Sequence, residues 1–104
     1  PSVCEAYVTD PLNHDKISVR LFSDFYEAGK WAIKNADKLP VETLLVHGAD
    51  DAIISSHGSV EFTENSKGLA KCKIFENTKH EPHNDKTHET LFAYTLSWLE
   101  NRLD

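Results

Sequence analysis

The chain contains two short runs of apolar, β-favouring residues. The first covers residues 41–46 and is followed by a glycine and two carboxylates, whereas the second covers residues 71–75 and leads through polar residues to His80. Strands that are apolar on both faces usually lie in parallel sheets covered by helices. The pattern therefore predicts an α/β fold in which these two strands are parallel neighbours.

Helical periodicity occupies most of the remaining sequence. Apolar residues recur at intervals of three and four over residues 17–37, and Leu39-Pro40 ends this predicted helix. A shorter helix is expected over residues 57–66 between the two strands, with Ser56 as its best N-cap and Lys67-Gly68 as its C-terminal stop. Such a strand-helix-strand connection predicts a right-handed parallel crossover.

The two ends of the chain have different patterns. Residues 1–16 are rich in small, polar and turn-forming residues and predict a loop, in which Asp10 and His14 serve turn formation and capping. After several candidate N-caps at residues 84–87, a terminal helix is expected to dock on the sheet. Its predicted apolar stripe consists of Leu91, Phe92, Thr95, Leu96, Leu99 and Leu103, with Tyr94 and Trp98 beside it.

The chemistry-bearing residues follow the strands. Asp50 and Asp51 come after the first strand and His80 after the second. Parallel sheets place their functional groups outside the carboxyl ends of their strands, so these side chains are expected near one another. An acid followed by a histidine supplies two of the three residues of a catalytic triad. They occur in the order expected when the nucleophile comes earliest in the chain.

Three segments resemble α/β-hydrolases of the monoacylglycerol lipase and lysophospholipase type: Asp10-Pro11-Leu12-Asn13-His14, residues 45–51, read Leu-Val-His-Gly-Ala-Asp-Asp, and residues 79–85, read Lys-His-Glu-Pro-His-Asn-Asp. The resemblance covers nearly the whole chain. It implies a carboxylic ester hydrolase of lipids, with no cofactor and with a lipid ester or other small ester as substrate.

The resemblance also assigns the candidate catalytic residues. The family places its acid at the third residue after the glycine, which is Asp51 here, and its histidine at His80, while Asp50 points away or holds the loop. The Gly-x-Ser-x-Gly nucleophile elbow is missing, because Gly29, Gly48, Gly58 and Gly68 have the wrong spacing. The chain is therefore expected to be a C-terminal part of such an enzyme, inactive alone, whose serine belongs to an N-terminal part.

Within one partial domain, residues 1–40 are expected to form the loop after a variable cap and a helix, and residues 41–104 the last two core strands with their helices. The aromatic stripe of the first predicted helix has two interpretations, packing on the sheet or forming an aromatic wall for an acyl chain. The candidate substrate-binding residues are Phe22, Phe25, Ile53 and Ile54.

Composition limits the partners. The net charge of −6 and the pI near 5.4 argue against a nucleic-acid partner, because phosphate binding uses clustered Lys and Arg. Cys4 and Cys72 are too few for a disulfide framework, and Cys72 falls in an apolar strand, which favours a reducing, cytoplasmic location. The sequence has no signal segment and no apolar run near the roughly 20 residues of a membrane helix, so any membrane contact is expected to be peripheral.

Two other hypotheses remain. His80, His83 and His88 could converge on a metal ion, but a proline loop interrupts them, so no metal site is predicted. The chain could instead be a small α/β interaction module without catalysis. Two strands leave two open sheet edges and much uncovered apolar helix surface. Whether the chain is part of a hydrolase or an interaction module, it is therefore expected to form a dimer or a larger oligomer when alone.

Overall fold

The computed structural model describes residues 2–103, in which helices flank a small parallel sheet. The elements are helix α1 (Ser2–Thr9), helix α2 (Val19–Lys34), a 3-10 turn (Ala36–Lys38), strand β1 (Thr43–Gly48), helix α3 (His57–Asn65), strand β2 (Ala70–Phe75), a second 3-10 turn (Pro82–Asn84) and helix α4 (His88–Glu100).

Strands β1 and β2 pair in parallel, which confirms the sheet expected from the sequence. Their register aligns Thr43 with Ala70 at one end and Gly48 with Phe75 at the other. The strand predicted over residues 41–46 begins and ends two residues later than expected, because Val41 is exposed and pairing continues through the glycine. Both strands therefore end at the same edge of the sheet, where the chain turns into the loops that hold Asp51 and His80.

The backbone of Gly48 lies unusually close to the loop that follows β2. A Cβ atom at this position would lie far inside van der Waals contact with the carbonyl oxygens of Thr78 and Lys79, and 2.7 Å from the carbonyl carbon of Thr78. Beyond the strand, the Ala49 amide donates to Phe75 and the Asp50 amide to Thr78, each at 2.9 Å. Only glycine permits this approach, which joins the two loops backbone to backbone.

Helix α1 corrects the loop expected over residues 1–16, of which Pro1 lies outside the described residues. Residues 2–9 contain neither glycine nor proline, so nothing in them interrupts a helix. The turn-forming residues begin at Asp10, whose carboxylate accepts a hydrogen bond from the Leu12 amide at 2.9 Å. The turn-forming residues at positions 10–15 therefore do not determine the conformation of the segment before them.

Helix α2 lies within the predicted range. Its aromatic stripe does not pack on the sheet, which was one of its two interpretations. Ser18 caps the helix by accepting a hydrogen bond from the Leu21 amide at 3.1 Å. The helix packs mainly on α3, and no residue within it is fully buried. Phe22 and Phe25 are about 60% exposed, because the described residues include no sheet wide enough to cover them.

Helix α3 begins directly after Ser56, as predicted, but the Ser56 side chain makes no capping hydrogen bond. Its backbone is helical rather than extended, and the Ser55 hydroxyl accepts a hydrogen bond from the His57 amide instead, at 3.2 Å. The predicted stop is confirmed. Lys67 and Gly68 have φ angles of 56° and 91°, the left-handed conformation that reverses the chain after a helix.

Helix α4 docks on the sheet through a face that shares only Leu91 and Thr95 with the predicted stripe. Leu91 is buried, and Tyr94 meets Phe75 edge to face at a centroid distance of 6.1 Å. Trp98 is half-buried on the same face. Thr95 of the predicted stripe is half-buried. The other stripe residues are exposed, namely Phe92, Leu96, Leu99 and Leu103. None of the helices in residues 2–103 combines the length and apolarity required to cross a bilayer.

We predict that Gly48→Ala destabilises the chain by about 1–3 kcal/mol or more, because a methyl group must separate two backbone segments. Gly29→Ala is the matched control. Its Cβ would meet nothing within 4 Å in α2, so a gain of about 0.5–1 kcal/mol in the free energy of unfolding is expected. Urea denaturation at equal protein concentration measures both changes. A Gly48→Ala variant as stable as the unmodified chain would show that the approach is dispensable.

Candidate active site

The Asp51 carboxylate lies in the loop after β1 and is only 3% exposed. Its Oδ1 atom accepts hydrogen bonds from the backbone amides of Ile53 at 2.8 Å and Ile54 at 3.0 Å. Its Oδ2 atom contacts His80 Nδ1 at 2.8 Å and His47 Nε2 at 3.1 Å. A buried charge requires such partners, and these contacts give the carboxylate one fixed orientation.

His80 lies at the corresponding position in the loop after β2 and remains 41% exposed. Because its Nδ1 atom faces a carboxylate oxygen, Nδ1 carries the proton and donates the hydrogen bond. In the neutral ring, Nε2 then holds the lone pair. A histidine held in this way by a buried acid is oriented to act as a general base through Nε2.

Residues that the sequence analysis did not single out hold the His80 loop. The Asp85 carboxylate accepts hydrogen bonds from the amides of Lys79 at 2.8 Å and Lys86 at 2.7 Å, on different oxygens. The buried Thr78 hydroxyl bonds to the Thr87 hydroxyl at 2.7 Å. The sequence offers Asp85 and Thr87 only as candidate N-caps of α4, and Thr87 occupies that position without a side-chain capping bond. Their partners in the loop are set by the path of the loop and not by local periodicity.

His47 is the second histidine on the Asp51 carboxylate. Its Nδ1 atom bonds to the Ser59 hydroxyl at 2.8 Å, and its Nε2 atom lies 3.1 Å from both Asp51 Oδ2 and the carbonyl oxygen of Ile54. His47 therefore joins the end of β1 to the acid loop and to α3. Ser59 was not predicted, since nothing in its sequence neighbourhood distinguishes it from other helix-start serines.

The environment of Asp51 changes its acidity. Burial by itself would raise the pKa of the carboxyl group, but hydrogen bonds from the Ile54 amide, His80 and the Ile53 amide oppose it, and the charge of His80 adds to them. The net effect holds the pKa of Asp51 well below its ordinary value. Asp51 is therefore an anion at neutral pH.

The other candidate residues lie on the Asp51 loop and on α2. The Asp50 side chain is exposed, consistent with the expectation that it points away, and its amide helps to hold the loop. Ile53 and Ile54 lie on the Asp51 loop, whereas Phe22 and Phe25 lie on α2. All four are exposed, as contact with a substrate requires, and their role stays a prediction.

The three histidines of the metal hypothesis have separate partners. His80 bonds to Asp51, His83 contacts Asn84 at 3.3 Å, and His88 bonds to the carbonyl of Asp85 at 2.8 Å. Among residues 2–103, no group of three or more His, Cys, Asp or Glu side chains has the arrangement of a metal site.

The described residues 2–103 provide no nucleophile in hydrogen-bond contact with His80. No serine hydroxyl of this range hydrogen-bonds to His80, and the Ser59 hydroxyl is occupied by His47. Two shallow cavities lie elsewhere. One of about 240 Å³ is at the amino ends of the strands beside Trp98, and one of about 350 Å³ is between α2 and α3.

Parallel strands with flanking helices, ending in paired functional loops, place the chain in the α/β-hydrolase class. A crystal structure of Paleococcus ferrophilus monoacylglycerol lipase superimposes with a TM-score of 0.78 at 28% identity, covering 95% of this chain and 39% of that one. The family model described as serine aminopeptidase, S33, matches residues 1–87. The chain belongs to this family of hydrolases, which confirms the fold class and the resemblance to α/β-hydrolases of the monoacylglycerol lipase type.

Two protein relatives extend the comparison. An abhydrolase domain-containing protein of Dictyostelium discoideum is 30% identical over 99% of this chain, and a monoglyceride lipase homolog of Monkeypox virus is 28% identical over 93%. The chain spans 11% of the first and 36% of the second. The 104 residues thus correspond to a part of each relative.

We predict that Asp51→Asn weakens the acid sensitivity of folding. Because the folded-state pKa of Asp51 is depressed, its stabilising contribution is complete above its unfolded pKa of about 3.9 and is lost as the pH falls toward the folded-state value. Urea denaturation at pH values from about 6 to about 2 should therefore give a shallower loss of free energy for Asp51→Asn than for the unmodified chain. Asp50→Asn, at an exposed position, is the control. Equal slopes for Asp51→Asn and the unmodified chain would contradict the depressed pKa.

Proposed function

We propose that this chain supplies the acid and the base of a Ser-His-Asp triad in a carboxylic ester hydrolase that cleaves monoacylglycerol-type or lysophospholipid-type lipids. The observation that supports this most is the 2.8 Å contact between Asp51 Oδ2 and His80 Nδ1. It joins a buried acid to an exposed histidine at the carboxyl ends of parallel strands, within a hydrolase family.

In this proposal, the serine comes from a segment outside these 104 residues. A serine hydroxyl is a weak nucleophile near neutral pH and needs an adjacent base. His80 Nε2 accepts the hydroxyl proton as the oxygen attacks the ester carbonyl, and the imidazolium then gives that proton to the leaving alcohol. Asp51 stays ionised, keeps the ring in the Nδ1–H tautomer and stabilises its positive charge. The oxyanion donors come with the serine segment.

The substrate class rests on the names of the relatives and on the apolar residues around the site. A monoacylglycerol lipase and a monoglyceride lipase homolog are both similar to this chain. Ile53 and Ile54 follow the acid in the same loop, and Phe22 and Phe25 give α2 an apolar surface. Each pair could contact an acyl chain. We assign these four residues to substrate contact. In this proposal the enzyme acts in lipid metabolism, and any membrane contact is peripheral.

The second candidate function is a small α/β interaction module without catalysis. The exposed apolar faces of α2 and α4 favour it. The oriented Asp51-His80 pair favours hydrolysis instead, because an interaction module has no need of a buried carboxylate that fixes a histidine tautomer.

We predict that Asp51→Asn and His80→Ala each lower kcat strongly, in a protein that contains this chain and its serine segment. Replacement of the triad acid by its amide can cost about 10⁴-fold, because the amide favours the wrong histidine tautomer. Asp50→Asn is the matched control. Its side chain is exposed and adjacent in sequence, so a much smaller loss is expected. Hydrolysis of a p-nitrophenyl ester measures all three rates.

Equal, large losses of kcat at Asp50 and Asp51, with folding intact, would remove this assignment. The 104-residue chain alone should give no burst of acylation with the same ester, because the triad serine is not within it. Acylation of the chain alone at a single serine would contradict the proposal that the nucleophile lies outside.

We also predict that the chain by itself forms a dimer or a larger oligomer. Leu21, Phe22 and Phe25 of α2 and Phe92 and Leu96 of α4 are all more than half exposed. Apolar surface on this scale promotes association, and open strand edges recruit further strands. Sedimentation equilibrium at micromolar concentration measures the mass. A folded monomer with a cooperative melt would contradict this prediction.

A further inference from the structure

His47 is a part of the site to which the triad gives no role. It precedes Gly48 in β1, and its side chain is 14% exposed, so it is shielded from a substrate. It nevertheless contacts Asp51 Oδ2, the same oxygen that receives the hydrogen bond from His80.

The partners of His47 determine its tautomer. Nε2 lies 3.1 Å from Asp51 Oδ2 and 3.1 Å from the carbonyl oxygen of Ile54, and both of these atoms can only accept hydrogen bonds. Nε2 therefore carries a proton. In the neutral ring, Nδ1 is then an acceptor, and the Ser59 hydroxyl donates to it at 2.8 Å.

This arrangement is not a second catalytic triad. In the triad arrangement the acid meets Nδ1 and the serine meets Nε2, whereas here Asp51 meets Nε2 and Ser59 meets Nδ1. The ring bridges α3 and the acid loop.

We propose that His47 is a positioning residue that holds the Asp51 carboxylate in the orientation that His80 requires. The backbone amides of Ile53 and Ile54 fix Oδ1, and the Nε2–H group of His47 contacts Oδ2, the oxygen that also accepts from His80. Without this donor, the carboxylate can rotate about its Cβ–Cγ bond, and the Asp51-His80 hydrogen bond loses its alignment. This inference rests on the proposed triad.

The proposal separates two substitutions of similar size. His47→Phe fills the space of the ring but removes the donor, whereas His47→Gln restores an N–H group near the position of Nε2. In the protein that contains the serine segment, we expect His47→Phe to lower kcat by about 10–100-fold, the range for loss of a partner that orients a functional ligand. KM should stay unchanged, because His47 does not touch substrate. His47→Gln should recover most of kcat.

The control is His57→Phe, a histidine-to-phenylalanine change at an exposed position at the start of α3, which should leave kcat unchanged. Asp51→Asn in the same assay separates the two proposals. If Asp51→Asn keeps its kcat, the proposed triad fails. The role of His47 alone is overturned if Asp51→Asn is inactive while His47→Phe keeps its kcat. It is also overturned if His47→Gln lowers kcat as much as His47→Phe does.

A second measurement covers the case in which His47→Phe does not fold. Nitrogen-15 NMR of the imidazole rings in the unmodified protein should give a protonated Nε2 and an unprotonated Nδ1 for the neutral His47 ring. The opposite tautomer would turn a lone pair toward the Asp51 carboxylate and would overturn the proposal.

Discussion

The site depends on the close backbone approach between Gly48 and residues 78–79. The missing side chain at position 48 lets the loop after β2 lie against the end of β1, and hydrogen bonds from the Ala49 and Asp50 amides hold it there. This contact places His80 within 2.8 Å of Asp51. A side chain at position 48 would separate the two loops, and the acid and the histidine would no longer share a hydrogen bond. Fold and chemistry are thus linked at one residue.

The Asp51 carboxylate is the second constraint, because it must be satisfied wherever it is buried. Two amides of its own loop and two histidines from different parts of the chain surround it. These partners offset the cost of burying a charge and fix the direction of each oxygen. The same contacts that stabilise the anion therefore orient the proposed base. His80 remains open to the surface, where a serine from another segment would have to approach it.

The sequence predicted the local and periodic features well. The parallel strands, the helix after Ser56 and the proximity of Asp51 and His80 all follow from apolar runs, turn residues and strand order. It missed one local feature, helix α1, which precedes the turn residues at positions 10–15. The other features it missed depend on the path of the chain in space. The hydrogen bonds of Ser59 and Asp85 join segments that no local pattern connects, and the inward face of α4 uses Tyr94 and Trp98 because the sheet lies on that side. The α2 stripe stays exposed because the residues described here include no surface to cover it.

The central claim is that the Asp51 carboxylate fixes His80 as a base whose lone pair lies on Nε2. Long-range proton-nitrogen correlation NMR of the His80 ring, in the neutral form, tests this directly in the chain itself and requires no activity. The structure predicts a proton on Nδ1, and Asp51→Asn should abolish that preference. A neutral His80 ring that carries its proton on Nε2, or a tautomer unaffected by Asp51→Asn, would contradict the account.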